Sequence, residues 1–177
     1  PLSKKLYSEY DSSLLKSDLK KKGSTIISKI LINNKKVNWK RVENHEDLIE
    51  IQLSCPLKID SIIQLEFEYE LIIPSLITNY GNRDDVFFNL SNCFFRFSPF
   101  IDGKWLIKSN LGFNDQLFDK AEINLNFKFN SDFNVISNLN NNSFKNTGTN
   151  NVVFLNGFLV SDIYLFLTKQ NEFQNIT

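Results

Sequence analysis

Apolar and polar residues alternate strictly over several long stretches of this chain. In the clearest stretch, Ile63 to Leu71, aliphatic and aromatic residues alternate with one glutamine and three glutamates. Successive side chains of a β-strand point to opposite faces, so this pattern predicts a strand with one buried and one solvated face. A helix would show its apolar residues at helical spacing instead. The pattern therefore favours antiparallel β-structure.

The same alternation predicts strands along most of the chain. Residues 26–32 lead into Asn33 and Asn34, which tolerate left-handed backbone and therefore predict a hairpin turn before Trp39. Further strands are predicted at 49–53, 86–91, 104–108, 123–129, 152–158 and 163–168.

Two segments depart from this pattern. Residues 8–20 place Tyr10, Leu14 and Leu15 on one helical face ahead of Gly23, and so predict one short N-terminal helix. Residues 138–151 are polar and rich in asparagine, which predicts a mobile loop. The sequence as a whole predicts a single all-β domain over residues 1–177. We expect an antiparallel β-sandwich or saddle-like domain of about eight to ten strands with that one helix.

Composition excludes several functional classes. The chain has 20 basic and 20 acidic side chains, which argues against a nucleic-acid-binding protein with its basic patch. One histidine and two cysteines cannot form most zinc sites, so we expect no metal site, cofactor or catalytic residue in these residues. No apolar run approaches the roughly 20 residues of a membrane-spanning helix, so no transmembrane segment is expected.

The individual residues that could carry chemistry have simpler interpretations. His45 lies in a polar turn, and Asp84 and Asp85 lie in a loop without the spacing of a calcium site. We expect all three side chains to be solvated. Cys55 and Cys93 lack close spacing, and the sequence leaves open whether they form a disulfide or remain two thiols.

Four segments carry a family resemblance through their order and spacing. They are PLKID followed by QLEFEY at 56–69, NCFFR followed by FIDGKW at 92–105, the strand pair ending in NVISN at 119–138, and VFL followed by VSDI at 153–163. Together they resemble the N-terminal β-domain of the zinc aminopeptidase family that includes aminopeptidase N and leukotriene hydrolase, and most closely its bacterial members. The resemblance spans residues 24–170. It departs from the family where Phe95 replaces a usual proline and Asn138 lies near an expected glycine.

The resemblance implies a non-catalytic scaffold domain. It implies that this domain packs on a catalytic domain of the same polypeptide and bounds the cleft for a peptide substrate. The zinc ion and the motif H-E-x-x-H are expected in that catalytic domain, and the lack of methionine is consistent with an excised piece. Asn92 matches a glutamine that lines the substrate pocket of the family, so it is the candidate pocket residue.

Two alternatives remain open at the level of sequence. The chain can be a stand-alone β-sandwich that binds a protein or a glycan, or the domain of a degenerate family member without catalytic activity. An excised domain should expose apolar side chains within 87–100 or 153–168, where it would contact the catalytic domain. A stand-alone module should have a polar surface there.

Overall fold

The computed structural model describes residues 23–75, 80–107 and 119–169. These residues confirm the all-β prediction, because 59 % of them lie in strands and none of them lies in a helix. The helix expected at residues 8–20 falls outside the described ranges. Within those ranges, no helix has the length and the apolar character needed to cross a lipid bilayer.

Fourteen strands are formed by the described residues, more than the number expected. Five of them contain only two or three residues, which is too short to show an alternation of apolar and polar residues in the sequence. The strands are β1 Ser24–Ile32, β2 Lys35–Lys36, β3 Trp39–Val42, β4 His45–Ile51, β5 Leu65–Ile72, β6 Gly81–Arg83, β7 Phe87–Asn89, β8 Phe100–Ile101, β9 Lys104–Trp105, β10 Ala121–Asn130, β11 Phe133–Ser137, β12 Asn140–Asn146, β13 Asn150–Val160 and β14 Leu165–Lys169.

The chain divides into two compact units where the sequence predicted one domain. Unit 1 comprises Pro1–Ile72 and Ser98–Leu117, and unit 2 comprises Ile73–Phe97 and Phe118–Thr177. Both units are built from the same kind of alternating strand, and the chain passes between them more than once. No change of composition therefore marks the boundaries.

Unit 1 contains the strand with the clearest alternation. β5 pairs antiparallel with β1, which also pairs with β2, and Ile30 of β1 is almost completely buried opposite Phe67. Asn33 and Asn34 have φ values of 47° and 64°, which confirms the left-handed turn of the predicted hairpin. The pairs β3–β4 and β8–β9 form two further hairpins in this unit.

Unit 2 is a β-sandwich. One sheet has the order β10-β13-β12 and the other has the order β11-β14-β7-β6, with every pair antiparallel. Both sheets contribute to one core, so each sheet covers the apolar face of the other. The buried core residues are Leu90, Phe129, Leu139, Val153, Leu155, Ile163, Leu165 and Leu167.

The prediction of a mobile loop at residues 138–151 is wrong. This segment contains β12 and the start of β13, joined by a tight turn at Gly148 with φ of 87°. Two of its asparagines are hydrogen-bonded to each other, because Asn146 Nδ2 donates to Oδ1 of the buried Asn151 at 2.8 Å. Asn151 Nδ2 in turn donates to Phe133 O at 3.4 Å. Pairing with the apolar strand β13 overrides the weak intrinsic preference of asparagine for strands.

Candidate functional site

Asn92 lies in the turn that follows β7, with a left-handed φ of 52° that asparagine adopts readily. Its backbone N–H donates to Ile163 O at 2.9 Å, and its Oδ1 accepts from Ile163 N at 2.9 Å. Its Nδ2 donates to Asp162 Oδ1 at 3.3 Å. The carboxamide that the resemblance assigns to a substrate pocket is therefore engaged with the loop between β13 and β14.

Arg96 also binds the start of this loop. Its guanidinium donates to the carbonyl oxygens of Ser161, of Val160 at 3.4 Å and of Asp119 at 3.3 Å. Burial lowers the pKa of Arg96, and the nearby Asp162 carboxylate opposes that shift. Arginine keeps its charge in proteins, so these carbonyls receive charge-assisted hydrogen bonds.

Asn138 completes the arrangement. Its Nδ2 donates to Asp162 O at 2.9 Å, and its Oδ1 accepts from Tyr164 N at 2.9 Å. Ser161 Oγ donates to the second carboxylate oxygen of Asp162 at 3.1 Å. We call the group Asn92, Arg96, Asn138, Ser161 and Asp162 the Asp162 corner. Most of its hydrogen bonds hold the backbone of the loop between β13 and β14 in place.

A strained segment directly precedes the Asp162 corner. The register of β10 and β13 shifts by one residue between Ile123 and Ala121, so that Phe158 and Leu159 of β13 together oppose one residue of β10. Leu159 has φ of 53°, which is uncommon for a residue other than glycine, asparagine or aspartate. Phe158 and Leu159 are nevertheless 76 % and 56 % exposed. This β-bulge therefore exposes two large apolar side chains to solvent, and it does so with a backbone conformation at Leu159 that is energetically unfavourable.

The other candidate residues named from the sequence lie in strands, in turns or against the core. His45 begins β4 and pairs with Val42, while Asp84 and Asp85 both have left-handed φ in the turn between β6 and β7. The aromatic residues of 87–100 differ in burial. Phe88 and Phe94 pack against the core of unit 2, whereas Phe97 is 62 % exposed.

Unit 1 contains a shallow depression on the solvated face of the pair β1–β5. Its volume is about 240 Å³, and it is lined by Lys29, Leu31, Glu66, Phe67 and Glu68. Lys29 and Glu68 are cross-strand partners of opposite charge. The depression therefore has the composition of a solvated sheet face.

Neither cysteine forms a disulfide. Cys55 is exposed in unit 1, whereas Cys93 is partly buried in unit 2, and burial raises the pKa of its thiol to about 11. Because the thiolate is the nucleophile, Cys55 should react with a maleimide at mildly alkaline pH far faster than Cys93. Labelling of the folded protein followed by peptide mass spectrometry measures both rates. Equal rates in urea are the control, and equal rates in the folded protein would contradict this assignment.

The sequence alone indicated Asn92 but not its partners. Arg96, Asn138 and Asp162 all belong to segments that carry the resemblance, although Asn138 was noted there as a departure from the family. Comparison of the chain with protein-family models, with curated proteins and with solved structures finds no match. The functional argument therefore depends on the residues themselves.

Proposed function

We propose that this chain is the non-catalytic N-terminal β-domain of an aminopeptidase N-like zinc metallopeptidase, which packs on a catalytic domain and bounds its substrate cleft. One observation carries the proposal. The segments 92–96 and 161–163 both carry the resemblance, and they meet at the Asp162 corner although 65 to 71 residues separate the bonded pairs. The two segments flank the paired strands β7 and β14, so the resemblance falls on residues that contact each other in the fold.

Exposed apolar side chains support a domain interface. Phe158, Leu159 and Tyr164 lie within 153–168 and Phe97 lies within 87–100, the two ranges where an excised domain should expose such residues. Large apolar side chains that remain in water forgo the stabilisation of burial, which amounts to roughly 1.5–3 kcal/mol each. A second domain that covers them would recover that free energy.

The hydrolytic chemistry is assigned to the catalytic domain. A zinc site needs three or four ligands held around one point. In residues 23–75, 80–107 and 119–169, no group of three or more His, Cys, Asp or Glu side chains could hold a metal ion. When bound in the catalytic domain, zinc would supply an activated water for attack on the peptide carbonyl. The residues of this chain contribute shape and position, with Asn92 fixing the Asp162 corner.

A stand-alone binding module is the second candidate, and one hairpin favours it. β8 and β9 present Phe100 and Trp105, whose rings meet edge to face with centroids 5.0 Å apart, and Trp105 is 55 % exposed. Asp102 and Gly103 form the turn between them. An exposed aromatic pair beside polar turn residues can stack on the apolar face of a sugar or a peptide.

The first test is the coding sequence that follows Thr177. Our proposal expects an in-frame H-E-x-x-H and a later glutamate. It also expects the longer polypeptide to release p-nitroaniline from an aminoacyl anilide in a zinc-dependent reaction. A reading frame without these ligands, or such activity in the 177-residue chain alone, would contradict the proposal. Glycan or peptide binding that Trp105→Ala abolishes would instead support the second candidate.

A matched pair of variants tests the interface. Phe158→Asp should lower the melting temperature and the activity of the longer polypeptide, because it places a charge in the domain contact. The same change should leave unfolding of the 177-residue chain nearly unchanged, since Phe158 is exposed there. Ile59→Asp is the control, because Ile59 is 93 % exposed outside both ranges. Equal effects of the two changes on the longer polypeptide would exclude the proposed contact.

A further inference from the structure

Three asparagines of this chain are followed by a serine or a glycine. They are Asn130 before Ser131, Asn142 before Ser143 and Asn156 before Gly157. In such pairs the backbone nitrogen of the second residue can attack the side-chain amide of the asparagine, because a small neighbour leaves the approach open. The attack deamidates the asparagine, and it requires a backbone that can rotate. The surroundings of each pair therefore decide which of the three reacts.

The pair Asn156–Gly157 has the smallest neighbour but lies in the central strand of a sheet. Asn156 pairs with Asn124 of β10 on one side and with Asn140 of β12 on the other. Gly157 is itself buried opposite Ile123. Rotation of the backbone here would first require the strand ladder to open. The fold therefore protects Asn156 although its neighbour hinders the attack least.

The pair Asn130–Ser131 begins with an exposed asparagine, but its reacting groups are hydrogen-bonded. The backbone N–H of Ser131, whose nitrogen would attack, donates to Thr149 O at 3.1 Å. Oδ1 of Asn130 accepts from Asp132 N at 2.8 Å, which holds the carboxamide in the turn after β10. Both hydrogen bonds would have to break before the nitrogen could reach the carboxamide carbon. This pair is therefore protected as well.

Asn142 is the extra residue of the bulge in β12. The ladder joins Asn141 to Leu155 and Ser143 to Phe154, so Asn142 has no residue opposite it on β13. Among the described strands β12 is the last of its sheet, and Asn142 and Ser143 are both exposed. A bulge leaves its extra residue outside the ladder, so rotation at Asn142 disturbs less paired backbone than at the other two sites. Water also has access to this pair.

We propose that Asn142 is a site of spontaneous deamidation, with water as the co-reactant. The backbone nitrogen of Ser143 bonds to Cγ of Asn142, the bond from Cγ to Nδ2 breaks, and the proton from the backbone nitrogen leaves with Nδ2 as ammonia. The cyclic imide that results then adds one water molecule. Opening of the imide on one side gives aspartate at this position. Opening on the other side gives isoaspartate, in which the main chain runs through the side-chain carbon.

The reaction changes β12 in two ways. It adds a carboxylate to a chain with a formal net charge of zero, in a strand whose only charged residue is Lys145. Isoaspartate also lengthens the main chain by a methylene carbon, and β12 can take up this length at the bulge, which already holds an extra residue. We therefore expect the modified chain to stay folded. The inference does not depend on the proposed function, because Asn142 lies outside the Asp162 corner.

Peptide mapping by mass spectrometry tests the selectivity within one sample. The folded protein is incubated in mildly alkaline buffer made with oxygen-18 water, so each deamidated residue gains a heavy oxygen. Conversion at Asn142 should be at least about tenfold faster than at Asn130 and Asn156, since these two react only after local opening. In urea Asn156 should become the fastest, because glycine hinders the attack least. Equal rates at the three sites of the folded protein would overturn the proposal.

A matched pair of valine variants tests the attacking residue. Ser143→Val should slow conversion of Asn142 about tenfold, because a β-branched side chain crowds the backbone nitrogen and is compatible with a strand. Ser131→Val is the control and should leave the rate at Asn142 unchanged. Isoelectric focusing gives a second readout, since the acidic form should accumulate more slowly in Asn142→Gln than in wild type. Unchanged accumulation in both Ser143→Val and Asn142→Gln would show that Asn142 is not the site.

Discussion

Gly157→Ala should lower the free energy of unfolding of unit 2 by about 3 kcal/mol, within the range for overpacked cores. A Cβ at this position would lie 2.5 Å from Val160 Cγ2 and 2.7 Å from Leu139 Cδ2. Val160 is stiff at χ1 because it is β-branched, and Leu139 is buried in the core. Neither side chain can therefore move away without disturbing the bulge or the core.

A double-mutant cycle distinguishes two causes of the cost of Gly157→Ala, the steric clash and the lower backbone flexibility of alanine. Val160→Ala removes the closest atom, so the cost of Gly157→Ala should fall in that background. Hydrogen exchange of the backbone amides of β13 measures the stability of unit 2. Both tryptophans, Trp39 and Trp105, lie in unit 1, and their fluorescence during urea unfolding provides an internal control. An unchanged cost in the Val160→Ala background would show that the clash is not the cause.

Arg96→Met should also destabilise unit 2 by about 3 kcal/mol, because it removes several charge-assisted hydrogen bonds but keeps much of the apolar volume. The carbonyl oxygens of Val160 and Ser161 would lose their guanidinium donor next to the strained Leu159. We expect the protection of residues 158–163 against hydrogen exchange to fall most.

Arg41→Met is the matched control for Arg96→Met. Arg41 Nη2 donates to Thr25 O at 3.0 Å on an exposed part of unit 1, so this change should cost less than about 1 kcal/mol. Arg96→Lys should recover part of the loss, since it restores the charge but not the planar fork. If Arg96→Met cost no more than Arg41→Met, the Asp162 corner would not stabilise the bulge.

The elements that the sequence predicted well are those in which each strand carries its own signal. Glu68 and Glu70 alternate with Tyr69 and Leu71 along β5, and the structure exposes the glutamates and half-buries the apolar residues. Asn33 and Asn34 likewise carry their turn preference in their own side chains. Such local preferences do not need a partner to be recognised.

The strand β12 was missed because its signal lies in its neighbours. All of its residues except Phe144 are polar or charged, and pairing with β13 together with the hydrogen bonds among Asn146, Asn151 and Phe133 makes it a strand. The cost of a side chain at Gly157 was missed for a similar reason, since Val160 and Leu139 create it through the bulge and the core.

The sequence by itself determined the all-β class and the faces of the long strands, because alternation follows from the geometry of a single strand. It also bounded the chemistry, since one histidine and two cysteines restrict metal sites before any folding is considered. Only the tertiary structure decided the division into two units, the Asp162 corner and the bulge at Leu159. These features depend on contacts between distant residues, which no periodicity within one segment records.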